Sequence, residues 1–265
     1  MMTDVKTAPK SPPAIPSLRL LGVRVDSVTM EQAISSIAGM VHSGKIHHII
    51  PVNPEMVMLA RKNAQFREAI ERASLVVPDG IGVVYASRYL GRPIPDRVTG
   101  VDLTKRVAAV AARRGLRVFL LGAAPGVAEL ASLRLRSEFS GLIIAGTYAG
   151  SPKPEEEAEI CRLVAEAAPH ILLIAYGAPS QELWIMRNRE RLKVPVTICV
   201  GGTLDFLSGA VRRAPRPIQR AGLEWLYRLI QQPSRWRRML ALPRFAAAIV
   251  MNSLSGRTER EHPAQ

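Results

Sequence analysis

Between residues 18 and 208, short runs of aliphatic and β-branched residues alternate with longer stretches whose apolar positions recur every three or four residues. The short runs predict strands at 20–25, 47–52, 74–77, 117–121, 142–146, 171–176 and 196–200. The longer stretches predict helices. In one of them Ile160, Leu163, Val164 and Ala167 repeat at helical spacing behind the acidic turn Glu155, Glu156 and Glu157, which suits the positive end of a helix. This alternation predicts an α/β fold, a Rossmann-like parallel sheet flanked by helices over 18–208.

The pattern changes after that point. Residues 209–255 predict a basic helical appendage. Leu223, Leu226, Tyr227 and Ile230 fall on one helical stripe, Trp225 and Trp236 suit an interfacial depth, and Pro233 and Pro243 cut the segment into short helices. Two readings stand side by side: an amphipathic appendage lying on an anionic bilayer, or a helix pair packed on the sheet with its arginines in water. Residues 1–17, rich in Pro, Ser and Lys, predict a disordered leader, and 256–265 a disordered tail.

Charge narrows the partners. Among 265 residues, 36 are basic and 22 acidic, a formal net charge of +14, which predicts attraction to phosphates on nucleic acid, lipid or a sugar nucleotide. The excess is uneven. Nine arginines between 210 and 244 face one acid, Glu224. A nucleic-acid-binding α/β module is the alternative this charge raises, opposed by the acids Asp79, Glu182 and Asp205 at the expected ligand edge. Two separated cysteines, Cys161 and Cys199, form neither a disulfide framework nor a metal quartet and imply a reducing compartment. No apolar run reaches the roughly 20 residues that cross a bilayer, so any membrane contact is peripheral.

An open parallel sheet binds ligands beyond the carboxyl ends of its strands, so the residues just past each strand are the site candidates. In chain order these are Asn53, Asp79, Gly122, Tyr148, Gly177 through Gln181, and Gly201, Gly202 and Asp205. Asn53 before Pro54 is also a sound helix cap, and Asp79 before Gly80 suits either a cap or a general base behind the apolar run 75–77. Gly201 and Gly202 break a buried strand and open amides to an anion, with Asp205 placed for a ribose hydroxyl. Dinucleotide and Walker fingerprints are missing, and His47 and His48 read as structural.

Eight motifs in order, Asn53-Pro-Glu, Pro78-Asp-Gly-Ile-Gly82, Arg97-Val-Thr-Gly100, Val118-Phe-Leu-Leu-Gly122, Gly177-Ala-Pro-Ser-Gln-Glu182, Val200-Gly-Gly-Thr-Leu-Asp205, Arg213-Ala-Pro215 and Gly222-Leu-Glu-Trp-Leu-Tyr-Arg228, closely resemble the WecG/TagA/CpsF glycosyltransferases (glycosyltransferase family 26). The likeness covers about residues 18 to 245. It implies inverting transfer of a hexose, N-acetylmannosamine or its uronic acid from a UDP-sugar to a polyprenyl-diphosphate-linked saccharide. The enzyme would be peripheral at the cytoplasmic membrane face and serve surface or exopolysaccharide synthesis, with a homo-oligomer possible.

Carried across, Asp79 matches the proposed general base, Arg97 and Gln181 match active-site polar residues together with Asn53, and Asp205 matches a nucleotide-contacting acid. Gly122, Tyr148, Gly177, Gly201 and Gly202 complete the expected nucleotide rim. With no Asp-X-Asp pair to hold a divalent ion, no metal or other cofactor is expected, and Arg97, Arg212, Arg213 and Arg216 are the candidates to meet diphosphate charge. Pro51 replaces the family's usual threonine and Ser180 its frequent lysine.

Overall fold

The computed structural model describes residues 15–255. In chain order the elements are β1 (Ser17–Leu20), β2 (Val23–Asp26), α1 (Met30–Met40), β3 (His47–Val52), α2 (Pro54–Ala60), α3 (Ala64–Glu71), β4 (Leu75–Pro78), α4 (Ile81–Tyr89) and α5 (Gly100–Arg114). There follow β5 (Arg117–Gly122), α6 (Val127–Glu138), β6 (Ile143–Tyr148), α7 (Pro154–Ala167), β7 (Ile171–Ala175), α8 (Ser180–Leu192), β8 (Val196–Cys199) and α9 (Thr203–Ser208). The last elements are α10 (Arg216–Arg220), α11 (Glu224–Gln231), α12 (Trp236–Met239) and α13 (Ala241–Leu254).

Six strands pair in the order β4-β3-β8-β7-β5-β6, every pair parallel. The strand residues from β3 to β8 are almost all aliphatic because helices cover both faces, leaving no solvent side for polar alternation. Two apolar clusters result, one containing Ile50, Val52, Phe66 and Trp184, the other Ile49, Leu103, Leu120 and Ile198. Consecutive residues such as Ile49 and Ile50 thus serve opposite layers, as a period of two requires.

One expected strand is two. The 20–25 run turns back on itself because Leu21 and Gly22 adopt φ of 54° and 85°, so β1 and β2 form an antiparallel hairpin outside the main sheet. Its buried Asp26 accepts the Val76 amide at 2.8 Å and a contact from Arg24 at 3.2 Å, fastening the hairpin to β4. Ser17, placed at the end of the expected leader, already pairs with Asp26, whereas residues 1–14 and the expected tail 256–265 lie outside the described residues.

Beyond Gly209 the chain crosses the carboxyl edge of the sheet. Within α10, α11 and α12 no residue is buried, and Leu226, Ile230, Trp236 and Leu240 stay exposed. Helix α13 returns to the body, seating Phe245 and Ile249 in the cluster around Trp184. Packing on α2 and α4 therefore explains α13 and leaves the α11 stripe uncovered.

Candidate active site

The loops after β3, β4, β7 and β8 meet the appendage around one cavity of about 670 Å³. Asn53, Asp79, Arg97, Gly177, Gln181, Gly201, Gly202 and Arg213 all line it, so most of the expected rim converges there. Gly122, Tyr148 and Asp205, and the arginines Arg212 and Arg216, are not among its walls. Gly122 and Tyr148 end β5 and β6 on the far side of β7, which is why they stand apart from it.

Asp79 has no capping duty. Helix α4 starts at Gly80, whose φ of 90° turns the chain, and no side chain caps its amides. The Asp79 carboxylate accepts no hydrogen bond among the described residues, so its environment is set by field alone. Burial pushes its pKa up to about 6, opposed by Arg97 and assisted by Glu224. Asn53, by contrast, is the cap of α2: its Oδ1 accepts the Met56 amide at 3.0 Å.

Gln181 is buried in the cavity wall and is held by the protein's own groups. Its Oε1 accepts the amides of Gly177 and Gly201, both at 3.1 Å, and its Nε2 donates to Glu182 at 2.8 Å. The side chain pins the β7 loop to the β8 loop, and the Gly201 amide, expected to be open to an anion, is occupied by it. Beneath lie Glu182, whose pKa burial raises to about 7, and the Cys199 thiol, which burial raises well above its ordinary value.

The arginines sort into two groups. Arg213 donates to both oxygens of Asp102, at 2.6 and 2.7 Å, and to Glu224 at 3.2 Å. Arg97 meets the other Glu224 oxygen at 3.2 Å and the Gln219 carbonyl at 3.2 Å. At Asp102 burial works against ionisation, yet the hydrogen bonds from Arg213 and Thr99 outweigh it and hold the pKa low. These four side chains, Arg97, Glu224, Arg213 and Asp102, clamp the appendage to the core.

A second group, Arg228, Arg235 and Arg238, lines the cavity from α11, the turn after it and α12. Arg228 lies 4.7 Å above the Phe206 ring and 4.0 Å from Asp205. Its pKa is lowered to about 10, by burial first and then by the like charges of Arg235 and Arg238, while Asp205 and Asp79 pull the other way. Arg235 is depressed for the same reasons. Cations held against one another in a partly desolvated cleft call for an anion. Arg238 is exposed and paired with Glu55 at 2.7 Å, so Arg228 and Arg235 are the cations turned inward where Arg212 and Arg216 were expected. Arg212 and Arg216 are exposed, carried on the connection that precedes α11 and its clamp.

Gly202 explains why the glycine pair is there. A Cβ on it would collide with the Arg228 guanidinium and stand 3.2 Å from Asp205 Oδ2. Gly202→Ala is expected to push Arg228 out of place and to cut turnover about tenfold or more with little loss of folding stability, read from steady-state rates beside a thermal melt.

A carboxylate tuned to about 6 in one cleft with a group of partly desolvated arginines, at the carboxyl edge of a parallel sheet, is the arrangement a transferase of anionic substrates needs. The chain belongs to the glycosyl transferase WecG/TagA/CpsF family, whose model matches residues 18–259. It is 36% identical over 202 residues, 76% of this chain and 78% of the relative, to the N-acetylglucosaminyldiphosphoundecaprenol N-acetyl-beta-D-mannosaminyltransferase of Bacillus spizizenii. The protein of that name from Bacillus subtilis is 34% identical over 222 residues, 82% of this chain and 86% of the relative. Its namesake from Staphylococcus aureus is 32% identical over 228 residues, 85% and 89% of the two chains. Nothing in these relatives supports the nucleic-acid alternative.

Proposed function

We propose that this protein transfers N-acetylmannosamine, with inversion, from its UDP derivative to N-acetylglucosamine carried on a polyprenyl diphosphate. The activity named for the relatives supports the sugars and the acceptor. The observation that carries the chemistry is the uncapped Asp79 carboxyl in the same cleft as Arg228, Arg235 and Arg238. Asp79 takes the proton of the acceptor hydroxyl as that oxygen attacks the anomeric carbon, and UDP departs from the opposite face. The arginines meet the charge growing on the departing diphosphate, so no metal ion is required for that task. Among the described residues no three His, Cys, Asp or Glu side chains are grouped to hold one. The nucleoside end follows the rim past Gly177 and Gly202 toward Gly122 and Tyr148. In that direction Gly150 lies close to the Tyr148 ring and the Tyr176 hydroxyl.

The direct experiment incubates purified protein with synthetic polyprenyl-diphosphate N-acetylglucosamine and a panel of UDP-sugars and measures free UDP. Release is expected with UDP-N-acetylmannosamine. Release only with another sugar replaces the donor, and none with any sugar refutes the assignment.

The uncovered apolar residues of the appendage, set among arginines, support peripheral attachment to an anionic membrane from the cytoplasmic side. Among the described residues no helix is long and apolar enough to cross one. Deleting everything after Ser208 is expected to release the protein from anionic liposomes in a sedimentation assay. Continued co-sedimentation of the truncated form would remove the appendage from this role.

A further inference from the structure

Glu182 lies behind the cavity wall and has no part in the chemistry assigned above. It is the third residue of α8 and only 1% exposed, and burying a carboxyl that deeply opposes folding. The side chain is one link in a chain of contacts. Its Oε1 accepts from Gln181 Nε2 at 2.8 Å, and Gln181 Oε1 in turn accepts the amides of Gly177 and Gly201.

An amide side chain has two ends of nearly the same shape and opposite polarity. Both loop glycines present N–H donors, so only the oxygen end of Gln181 can serve them. Turned over, Gln181 would set donor against donor at each glycine. What opposes that turn is an acceptor on the nitrogen side, and Glu182 supplies it. The buried Cys199 thiol beside Glu182 is too weak an acceptor to replace it. Burial raises the Glu182 pKa to about 7, so both protonation states occur near neutrality. Oε1 can accept the bond in either, with the proton of the neutral acid on Oε2.

The loops concerned belong to the site. Gly177 follows β7 and Gly201 follows β8, adjacent parallel strands, and both glycines line the cavity that holds Asp79. The next residue, Gly202, is the surface against which the Arg228 guanidinium packs. A shift of the β8 loop therefore passes to the arginine assigned to the departing diphosphate, where a displacement of about 1 Å costs on the order of 100-fold in rate.

We propose that Glu182 is a positioning residue for the transfer: it fixes the amide orientation of Gln181, which ties the β7 and β8 loops together and holds Gly202 as the seat of Arg228. The inference rests on the reading of the cleft as the site of a UDP-sugar transferase and adds to it a residue outside the cleft.

Glu182→Gln keeps an acceptor for Gln181 Nε2, and Glu182→Leu removes it. The first readout is hydrogen exchange at the Gly177 and Gly201 amides, followed by NMR in the full-length protein without substrate. Exchange there is expected to quicken about tenfold or more in the leucine variant and to match the parent in the glutamine variant, with the amides of β7 and β8 unchanged in both. The second is UDP release with UDP-N-acetylmannosamine as donor. Leucine is expected to lower kcat about 10- to 100-fold while donor KM moves less than about threefold, and glutamine to restore kcat to within about threefold of the parent. Glu182→Met, whose side chain adapts more readily, gives the same reading should the leucine variant fold poorly. Unchanged exchange at the two glycines without the carboxyl, acceleration spread across the whole sheet, or a glutamine variant as slow as the leucine one would overturn the proposal. The exchange measurement needs no donor, so its failure is separate from an absence of UDP release by the parent protein, which refutes the catalytic reading instead.

Discussion

Asp79→Asn is expected to lower turnover about 100- to 10,000-fold, the range for loss of a positioned general base, while donor affinity stays close to that of the parent protein. The amide is nearly isosteric and lacks only the capacity to take a proton. Its substitution disturbs no helix cap, because α4 begins at Gly80 without one. The same residue sets the pH profile. A base works ionised, and burial raises the Asp79 pKa from 3.8 to about 6. Activity should therefore be level above that pH and fall about tenfold per unit below it, and the acid limb should vanish in the asparagine variant. Near-normal rates in Asp79→Asn would transfer the role of base to another group.

The second large effect belongs to Arg228. Alanine there is expected to reduce kcat about 100- to 1,000-fold, the usual consequence of deleting one donor to a developing oxyanion. Lysine should restore only a small part, since it replaces a planar fork lying 4.7 Å above the Phe206 ring with a point charge. Arg212→Ala and Arg216→Ala, at exposed positions outside the cleft, serve as controls and should leave kcat within about twofold. Stopped-flow or steady-state rates with UDP-N-acetylmannosamine separate the two classes. Equal losses at Arg216 and Arg228 would mean that bulk charge and not position matters.

The parallel sheet was legible because strands buried on both faces leave uninterrupted aliphatic runs, and helices between them keep a period near 3.6. The hairpin was not, since Leu21 is a leucine in a left-handed conformation and only Gly22 hinted at the reversal. That Asp79 would line the cleft was legible from its place after a strand, a rule of topology that needs no coordinates. The division of labour among arginines stayed hidden. Arg213 and Arg228 look alike in a sequence; one is committed to Asp102 and Glu224, the other is held against Phe206 and two like charges. Two signals did exist. Glu224 is the one acid among nine arginines of the tail, and Gly202 stands where any side chain would strike a neighbour. Gln181 read as an active-site polar residue at the rim, and what the sequence could not show is that its Oε1 bonds two loop amides and so pins the loops together.

Glu224 takes one oxygen to Arg97 and the other to Arg213, so a single carboxylate meets guanidinium groups from the loop before α5 and from the tail. An incoming diphosphate that draws on either cation competes with an occupant already in place, unlike a ligand that merely displaces water. The grip of the last helices and the pull of the cleft on anions are thus opposite pans of one balance, and reciprocity requires that whatever tips one tips the other.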